Sequence, residues 1–107
     1  MTPTPADRER LASQSKLTPK QVEAITKRLD EMDARSKEGP WTRRTLELIS
    51  QQPGVVSTVL ARQMQRERLF FKGQVRSLRD LGLTYSLEVG YSLSPRGRAY
   101  MKATGSK

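Results

Sequence analysis

The side chains in this sequence that are best suited to chemistry are the cations between residues 66 and 79. They are Arg66, Arg68, Lys72, Arg76 and Arg79. A guanidinium group donates hydrogen bonds in a planar fork that matches phosphate oxygens and the edge of guanine, whereas a lysine ammonium acts as a point charge. The chemistry that these residues offer is therefore the binding of a polyanion.

Bond-forming chemistry has few side chains to work with. The chain contains no histidine and no cysteine, which excludes Ser-His-Asp and Cys-His nucleophile systems, disulfides, and zinc sites built on either residue. Asp30, Glu31 and Asp33 lie together, but they stand among lysines and arginines, and a solvated helix face explains them. We therefore expect no enzymatic activity, no metal site and no cofactor.

The positive charge of the chain is large and unevenly placed. The formal net charge is +9, with eight basic against seven acidic residues in 1–40 and twelve against four in 41–107. A field of this size attracts DNA, RNA or an anionic membrane surface. No run of about 18 apolar residues occurs, so we expect no membrane span. The lack of a signal-like apolar start and of cysteine leads us to expect a cytoplasmic, nucleoid-associated protein.

The first part of the chain divides into a tail and a helix. Residues 1–16 are polar and begin with several Pro and Thr residues, so we expect a disordered tail. Residues 17–39 are predicted to contain a helix, because Thr18 can cap it, Pro19 suits its first position and Gln21 completes a capping box. The apolar residues of this helix form one stripe, which consists of Val22, Ile25, Leu29 and Met32.

Residues 40–104 are predicted to form one small domain that is mainly α with a small β-hairpin. Turn residues such as Pro53-Gly54 and Gly82 separate its short segments. The predicted elements, in chain order, are helices over 43–52, 58–65 and 70–81, strands over 83–87 and 91–93, and a helix that starts at Pro95. The expected helix caps are Thr42, then Ser57 or Thr58, and finally Ser94.

The run from Leu78 to Tyr100, LRDLGLTYSLEVGYSLSPRGRAY, looks like the end of a recognition helix, a wing and the helix behind it. With Leu60-Ala61, Met64 and Val75 upstream, it resembles the winged helix-turn-helix of bacterial transcription regulators, a broad group that includes MarR-like and PadR-like proteins. The resemblance covers about residues 41–103. It implies a winged helix-turn-helix domain preceded by an N-terminal amphipathic helix, with the helix 70–81 in the major groove of DNA.

The residues expected to contact DNA surround that recognition helix. Counted at about 100° per residue, Gly73 and Arg76 point away from the apolar stripe of Phe71, Val75 and Leu78. Gly73 weakens a helix by about 1 kcal/mol relative to alanine, which favours a close approach to DNA over a plain solvated face. The predicted DNA contacts are Arg43, Arg44, Ser57, Arg66, Arg68, Lys72, Gly73, Gln74, Arg76, Ser77, Arg79, Arg96 and Arg98.

Two positions depart from the pattern of the resemblance. A simple helix-turn-helix has glycine in its tight turn where this chain has Gln65, so we expect a longer turn before the recognition helix. The predicted wing carries Glu88 at its tip and no Arg or Lys there, which argues against minor-groove contact by the wing.

The predicted function is that of a sequence-specific double-stranded DNA-binding protein, a transcriptional regulator. The expected partners are double-stranded DNA and a second copy of the chain, bound through the apolar stripe of the 18–36 helix. Packing of that stripe on its own domain is the alternative to a dimer. A winged-helix adaptor that binds proteins without specific DNA binding is the alternative function. RNA binding is less favoured, because no exposed aromatic platform for single strands is evident.

Overall fold

The computed structural model describes residues 4–37, 39–66, 68–87 and 90–105, with the backbone alone at 68–70. The elements in chain order are α1 (Pro5–Ala12), α2 (Pro19–Arg35), α3 (Thr42–Gln51), α4 (Ser57–Gln63), α5 (Arg68–Asp80), β1 (Thr84–Ser86), β2 (Tyr91–Leu93) and α6 (Pro95–Ala103). The predicted class, mainly helical with one small antiparallel hairpin, is confirmed. In this part of the chain, no helix has the length and apolar character needed to cross a membrane.

The start of α2 is specified by its own first residues, as predicted. Thr18 Oγ1 accepts a hydrogen bond from the backbone N–H of Gln21 at 3.1 Å, and Gln21 Oε1 accepts one from the N–H of Thr18 at 2.9 Å. This capping box satisfies N–H groups that the first turn of a helix leaves without partners. The predicted cap of α6 is also confirmed, because Ser94 Oγ accepts the N–H of Gly97 at 3.0 Å.

The start of α3 is stabilised from another helix. Asp33, near the end of α2, accepts hydrogen bonds through Oδ1 from the backbone N–H groups of Trp41 (2.9 Å) and Thr42 (3.0 Å). Its Oδ2 accepts from the Thr42 hydroxyl at 2.8 Å and from the Arg43 guanidinium at 3.0 Å. The prediction that Thr42 caps α3 is therefore wrong. Thr42 is the first helical residue, and its hydroxyl donates to the carboxylate that does the capping.

Both ends of α4 are formed by the backbone, without a capping side chain. Val56 occupies the cap position of α4 and its side chain makes no capping hydrogen bond, so the prediction of Ser57 or Thr58 as the cap is wrong. Gln65 adopts a left-handed backbone with φ +56°, and the N–H of Arg66 donates to the carbonyl of Ala61 at 2.9 Å. This reversal ends α4 in the way that a glycine usually does.

The two strands pair with Thr84 opposite Leu93 and Ser86 opposite Tyr91. Residues 54–55 extend the hairpin, since the N–H of Tyr91 donates to the Val55 carbonyl and the N–H of Gly54 donates to the Tyr91 carbonyl, both at 2.8 Å. This pairing fixes the hairpin against the chain that precedes α4. Glu88, which the sequence analysis put at the tip of the wing, lies outside the described residues.

Buried apolar side chains from α2 to α6 and from the hairpin form one core. The predicted stripe of α5 is confirmed, because Phe71, Val75 and Leu78 are all buried. Trp41 is buried as well and contacts Phe71 edge-on, with the ring centroids 6.1 Å apart. The core therefore includes Trp41, which lies in the segment between α2 and α3.

The prediction of a disordered tail over residues 1–16 is wrong for residues 4–16. Thr4 and Asp7 form a capping box that starts α1, and Ala12 at its end is buried. The Arg96 guanidinium donates to the carbonyl of Leu81 at 3.0 Å and to Gln14, which ties the segment after α1 to the turn before β1. The helix was not predicted because its residues are mostly polar and only the small Ala12 is buried, so the sequence shows no apolar stripe there.

The docking of α1 predicts different effects for two alanines of the same helix. Replacing Ala12 with glutamate is expected to lower the free energy of unfolding by about 2 kcal/mol, because a charge would replace a buried methyl group. Replacing the exposed Ala6 with glutamate serves as the control, with a change within about 0.5 kcal/mol. Urea unfolding followed by circular dichroism measures both. Equal effects at the two positions would contradict the docking of α1.

The apolar stripe of α2 packs on its own chain. Ile25, Leu29 and Met32 are 3%, 0% and 8% exposed, and Val22 packs partly buried against the same core. The hydroxyls of Thr26 and Tyr100 are hydrogen bonded at 2.6 Å, which adds a polar link between α2 and α6. The homodimer through this stripe stays a prediction, although Ile25, Leu29 and Met32 are already covered by the core of the same chain. The alternative, packing on the same domain, is confirmed.

Candidate nucleic-acid interface

An open cleft of about 400 Å³ lies between α5, the start of α4 and the hairpin, and we call it the basic cleft. Three cations of α5 line it, namely Lys72, Arg76 and Arg79. Their spacing of four and three residues puts them on one face of the helix. Ser57 and Ser86 add hydroxyl groups to the lining. None of the described residues that line the cleft carries a carboxylate.

The buried face of α5 determines which of its residues turn outward. With Phe71, Val75 and Leu78 held in the core, Gly73 and Arg76 are exposed, as the angular count predicted. A Cβ added at Gly73 would meet nothing within 4 Å, so the surface around this glycine is open. The outer face of α5 is accordingly accessible over its middle and carries positive charge.

The structure adds residues to the site that the sequence analysis missed. Tyr91 and Leu87 of the hairpin line the basic cleft, and Leu87 is 45% exposed. Val56, just before α4, lines it as well. The pairing of Tyr91 with residues 54–55 brings Val56 and the hairpin together beside α5, and no local sequence pattern carries that information.

The pKa of the Tyr91 phenol depends on its burial and on the cations beside it. Burial raises the pKa of Tyr91, and the positive charges of Arg76 and Arg79 oppose that rise. The net direction is upward, so the phenol is protonated and neutral near pH 7. It therefore offers an O–H donor next to two guanidinium groups.

Arg79 lies between two clefts. It lines the basic cleft and also a smaller cleft of about 270 Å³ between α1 and β1. Asp80 Oδ1 is 3.8 Å from a nitrogen of Arg79 and 3.9 Å from a nitrogen of Arg8. Both distances exceed those of charge-assisted hydrogen bonds, so Oδ1 of Asp80 forms ion pairs with both cations without a hydrogen bond to either. Within the described part of the chain, the buried Nε of Arg79 has no hydrogen-bond partner.

Three of the predicted DNA contacts instead hold the fold together. Arg43 forms ion pairs with Asp30 at 2.8 Å and with Asp33 at 3.0 Å. Arg66 donates to Ser36 Oγ and to the Gly39 carbonyl, both at 3.4 Å, and Arg96 is bound to Leu81 and Gln14 as described above. The contacts of these arginines within the chain occupy donors that the sequence analysis had assigned to phosphate.

The other predicted contacts are divided between the cleft and the remaining surface. Ser57, Lys72, Arg76 and Arg79 come together in the basic cleft, and Gly73 and the half-buried Ser77 belong to the same helix. The exposed Arg44 is paired with Glu47 at 3.3 Å, while Arg98 is exposed on α6. Gln74 is half-buried, and its buried Oε1 has no partner among the described residues. The side chain of Arg68 lies outside the described part of the chain.

Comparisons of the chain with protein families, with curated proteins and with solved structures find no match. Over the described ranges, no three His, Cys, Asp or Glu side chains lie close enough together to hold a metal ion.

The basic cleft has the groups that a phosphodiester backbone requires. Guanidinium and ammonium groups pair with phosphate oxygens, and serine or tyrosine hydroxyls supply neutral donors of the kind found at protein–DNA interfaces. The cleft is open to solvent, so a large polyanion can reach its lining. The cations and hydroxyls of the basic cleft are chemically suited to binding phosphate groups.

Proposed function

We propose that residues 41–103 form a winged helix-turn-helix domain and that the protein binds double-stranded DNA as a transcription regulator. The observation that carries the proposal is the alignment of Lys72, Arg76 and Arg79 along one face of α5, in a cleft that the hairpin also lines. The order of elements supports the type of domain: α3, the extended residues 54–55, α4, α5, the hairpin and α6.

In the proposed complex α5 lies in the major groove. The groove is about 12 Å wide and admits an α-helix, and the open surface around Gly73 lets the helix backbone approach the bases. Arg76, one turn along α5 from Gly73, is exposed and binds a backbone phosphate. Lys72 and Arg79 flank Arg76 on the same face and bind backbone phosphates. A bound chain would act by occluding a promoter or by recruiting other proteins to it, in the cytoplasm at the nucleoid.

The salt dependence of binding tests the proposal. Three phosphate contacts predict a slope of about −2.7 for the logarithm of the binding constant against the logarithm of salt concentration. Affinity for mixed-sequence duplex DNA is then expected to fall about 40-fold between about 50 and about 200 mM salt, measured by fluorescence anisotropy. In Arg76→Gln the slope is expected to become shallower by about one unit, because one cation no longer displaces a counterion.

Arg28→Gln is the matched control for this measurement. It removes the same charge from the exposed surface of α2, where the one ion pair of Arg28 among the described residues is with Glu31 at 4.0 Å. The control is expected to keep the slope of the parent protein. Identical slopes for Arg76→Gln and Arg28→Gln would show that net charge, and not the basic cleft, drives binding. Absence of binding at about 50 mM salt would overturn the DNA proposal in favour of a protein-binding adaptor.

Sequence specificity needs a separate experiment. Selection of bound duplexes from a random pool at about 150 mM salt is expected to enrich one short motif for the parent protein. The same selection with Arg76→Gln is expected to enrich the same motif with weaker binding to every duplex, since a phosphate contact carries no sequence information. A parent protein that enriches no motif would contradict specific recognition and leave non-specific DNA binding.

A further inference from the structure

Tyr91 lines the basic cleft and has no role in the proposed complex so far. It opens β2, opposite Ser86, and its backbone is hydrogen bonded on the other side to Gly54 and Val55 at 2.8 Å. Gly90, directly before it, has φ +88°, and a Cβ there would collide with the Gly54 carbonyl. Backbone pairing on both sides therefore holds the Tyr91 ring in a fixed place beside α5.

The hydroxyl of Tyr91 is available for a ligand. Across the described ranges this hydroxyl makes no hydrogen bond, although the ring itself is largely buried. Tyr100, by contrast, uses its hydroxyl within the core, where it is bonded to Thr26. The phenol of Tyr91 stays neutral near pH 7, because burial raises its pKa against the opposing charges of Arg76 and Arg79. A neutral donor thus lies next to two cations in an open cleft.

We propose that one backbone phosphate of the bound DNA lies between Arg76, Arg79 and Tyr91, and that the Tyr91 hydroxyl donates a hydrogen bond to it. The inference rests on the proposed function and adds to it a contact made by the hairpin. The guanidinium groups supply charge, and the phenol supplies a donor that adds no charge. A contact from a strand and contacts from a helix to one phosphate would fix the angle at which α5 enters the groove.

The test compares Tyr91→Phe with the parent protein in the anisotropy measurement on mixed-sequence duplex DNA. Affinity is expected to be about tenfold lower at every salt concentration, because a hydrogen bond to a charged oxygen is lost. The slope against salt is expected to match the parent, because no cation is removed. Tyr85→Phe, on β1 and outside the basic cleft, is the control and is expected to leave both affinity and slope unchanged.

A second measurement keeps the inference testable if Tyr91→Phe folds poorly. The chain has three tyrosines, so labelling with 3-fluorotyrosine gives three fluorine resonances, each with the fluorine beside the hydroxyl. Titration with duplex DNA, and separately with inorganic phosphate against matched chloride, is expected to shift the Tyr91 resonance saturably. The resonance of the buried Tyr100 is expected to stay in place.

The two proposals fail in different ways. If the parent binds DNA with the expected salt slope but Tyr91→Phe binds equally well, the phosphate contact by Tyr91 is overturned and the DNA-binding proposal stands. A Tyr91 fluorine resonance that does not move when DNA saturates the protein overturns the contact in the same way. If the parent protein binds no duplex at about 50 mM salt, the proposed function itself is overturned.

Discussion

Replacing Gly97 with alanine is expected to lower the free energy of unfolding by about 3 kcal/mol, although the same change inside a helix usually stabilises. Gly97 lies in the first turn of α6, and a Cβ there would overlap the carbonyl oxygen of Leu83. That carbonyl accepts the N–H of Ser94 at 3.1 Å, so the obstacle is backbone and moves only if the junction between the hairpin and α6 opens.

Gly73→Ala is the matched control for Gly97→Ala. Gly73 is also helical, in the middle of α5, but a Cβ there would meet nothing within 4 Å. Alanine at this position is expected to raise the free energy of unfolding by about 1 kcal/mol, through helix propensity alone. Chemical denaturation of both variants measures the difference. Two stabilising substitutions would mean that α6 does not approach Leu83 as closely as described.

Replacing Asp33 with alanine is expected to lower the free energy of unfolding by about 3 kcal/mol. Its side chain is 12% exposed and accepts four hydrogen bonds, two of them from backbone N–H groups at the start of α3. Removal leaves these N–H groups without a cap and Arg43 without its more buried partner. Thermal or urea unfolding at pH 7 measures the loss.

Asp30→Ala separates the cap from the ion pair. Asp30 also pairs with Arg43, at 2.8 Å, but its side chain is 64% exposed and caps no helix. The control is expected to cost no more than about 1 kcal/mol, as exposed ion pairs do. Similar losses for the two variants would contradict the capping of α3 by Asp33.

The pKa of Asp33 makes its contribution to stability depend on pH. Burial acts to raise this pKa, but the N–H groups of Trp41 and Thr42, the Thr42 hydroxyl and the charge of Arg43 outweigh it and lower the pKa below its ordinary 3.8. A pKa that is lower in the folded state means stability that is complete above about pH 4 and lost as the pH falls through the folded value. The difference in unfolding free energy between the parent and Asp33→Asn is therefore expected to be constant above about pH 5 and to shrink in more acidic solution.

Much of the fold was predictable because its signals are local. A capping box needs residues three apart, as at Thr18 and Gln21, and an apolar helical face needs residues three and four apart, as in α5. The helices and the hairpin between residues 42 and 103 therefore begin and end close to where the sequence predicted. The exposure of Gly73 and Arg76 followed from the same periodicity.

The caps of α3 and α4 and the docking of α1 were not predictable in this way, although α1 begins with a local capping box of Thr4 and Asp7. The cap of α3 comes from Asp33 on a different helix, and that of α4 uses no side chain at all. α1 is short, and of its residues only Ala12 is buried. Its place depends on contacts with the distant turn at Gly82, where a Cβ would come within 2.8 Å of Leu11 Cβ. Such contacts leave no periodic trace in the sequence.

The elements from α2 to α6, their apolar faces and the excess of positive charge in residues 41–107 could be predicted from the sequence alone. Which cations lie together in one cleft depends on contacts between distant parts of the chain. Arg66 reaches Gly39, 27 residues away, and Arg96 reaches Gln14, 82 residues away, while Lys72, Arg76 and Arg79 stay together in the basic cleft. In the folded chain the apolar stripe of α2 is part of the core, and Tyr91 lies beside α5. The reason is physical: helix and strand formation depends on near neighbours along the chain, whereas the partner of a long charged side chain depends on which distant segments the fold brings within its reach.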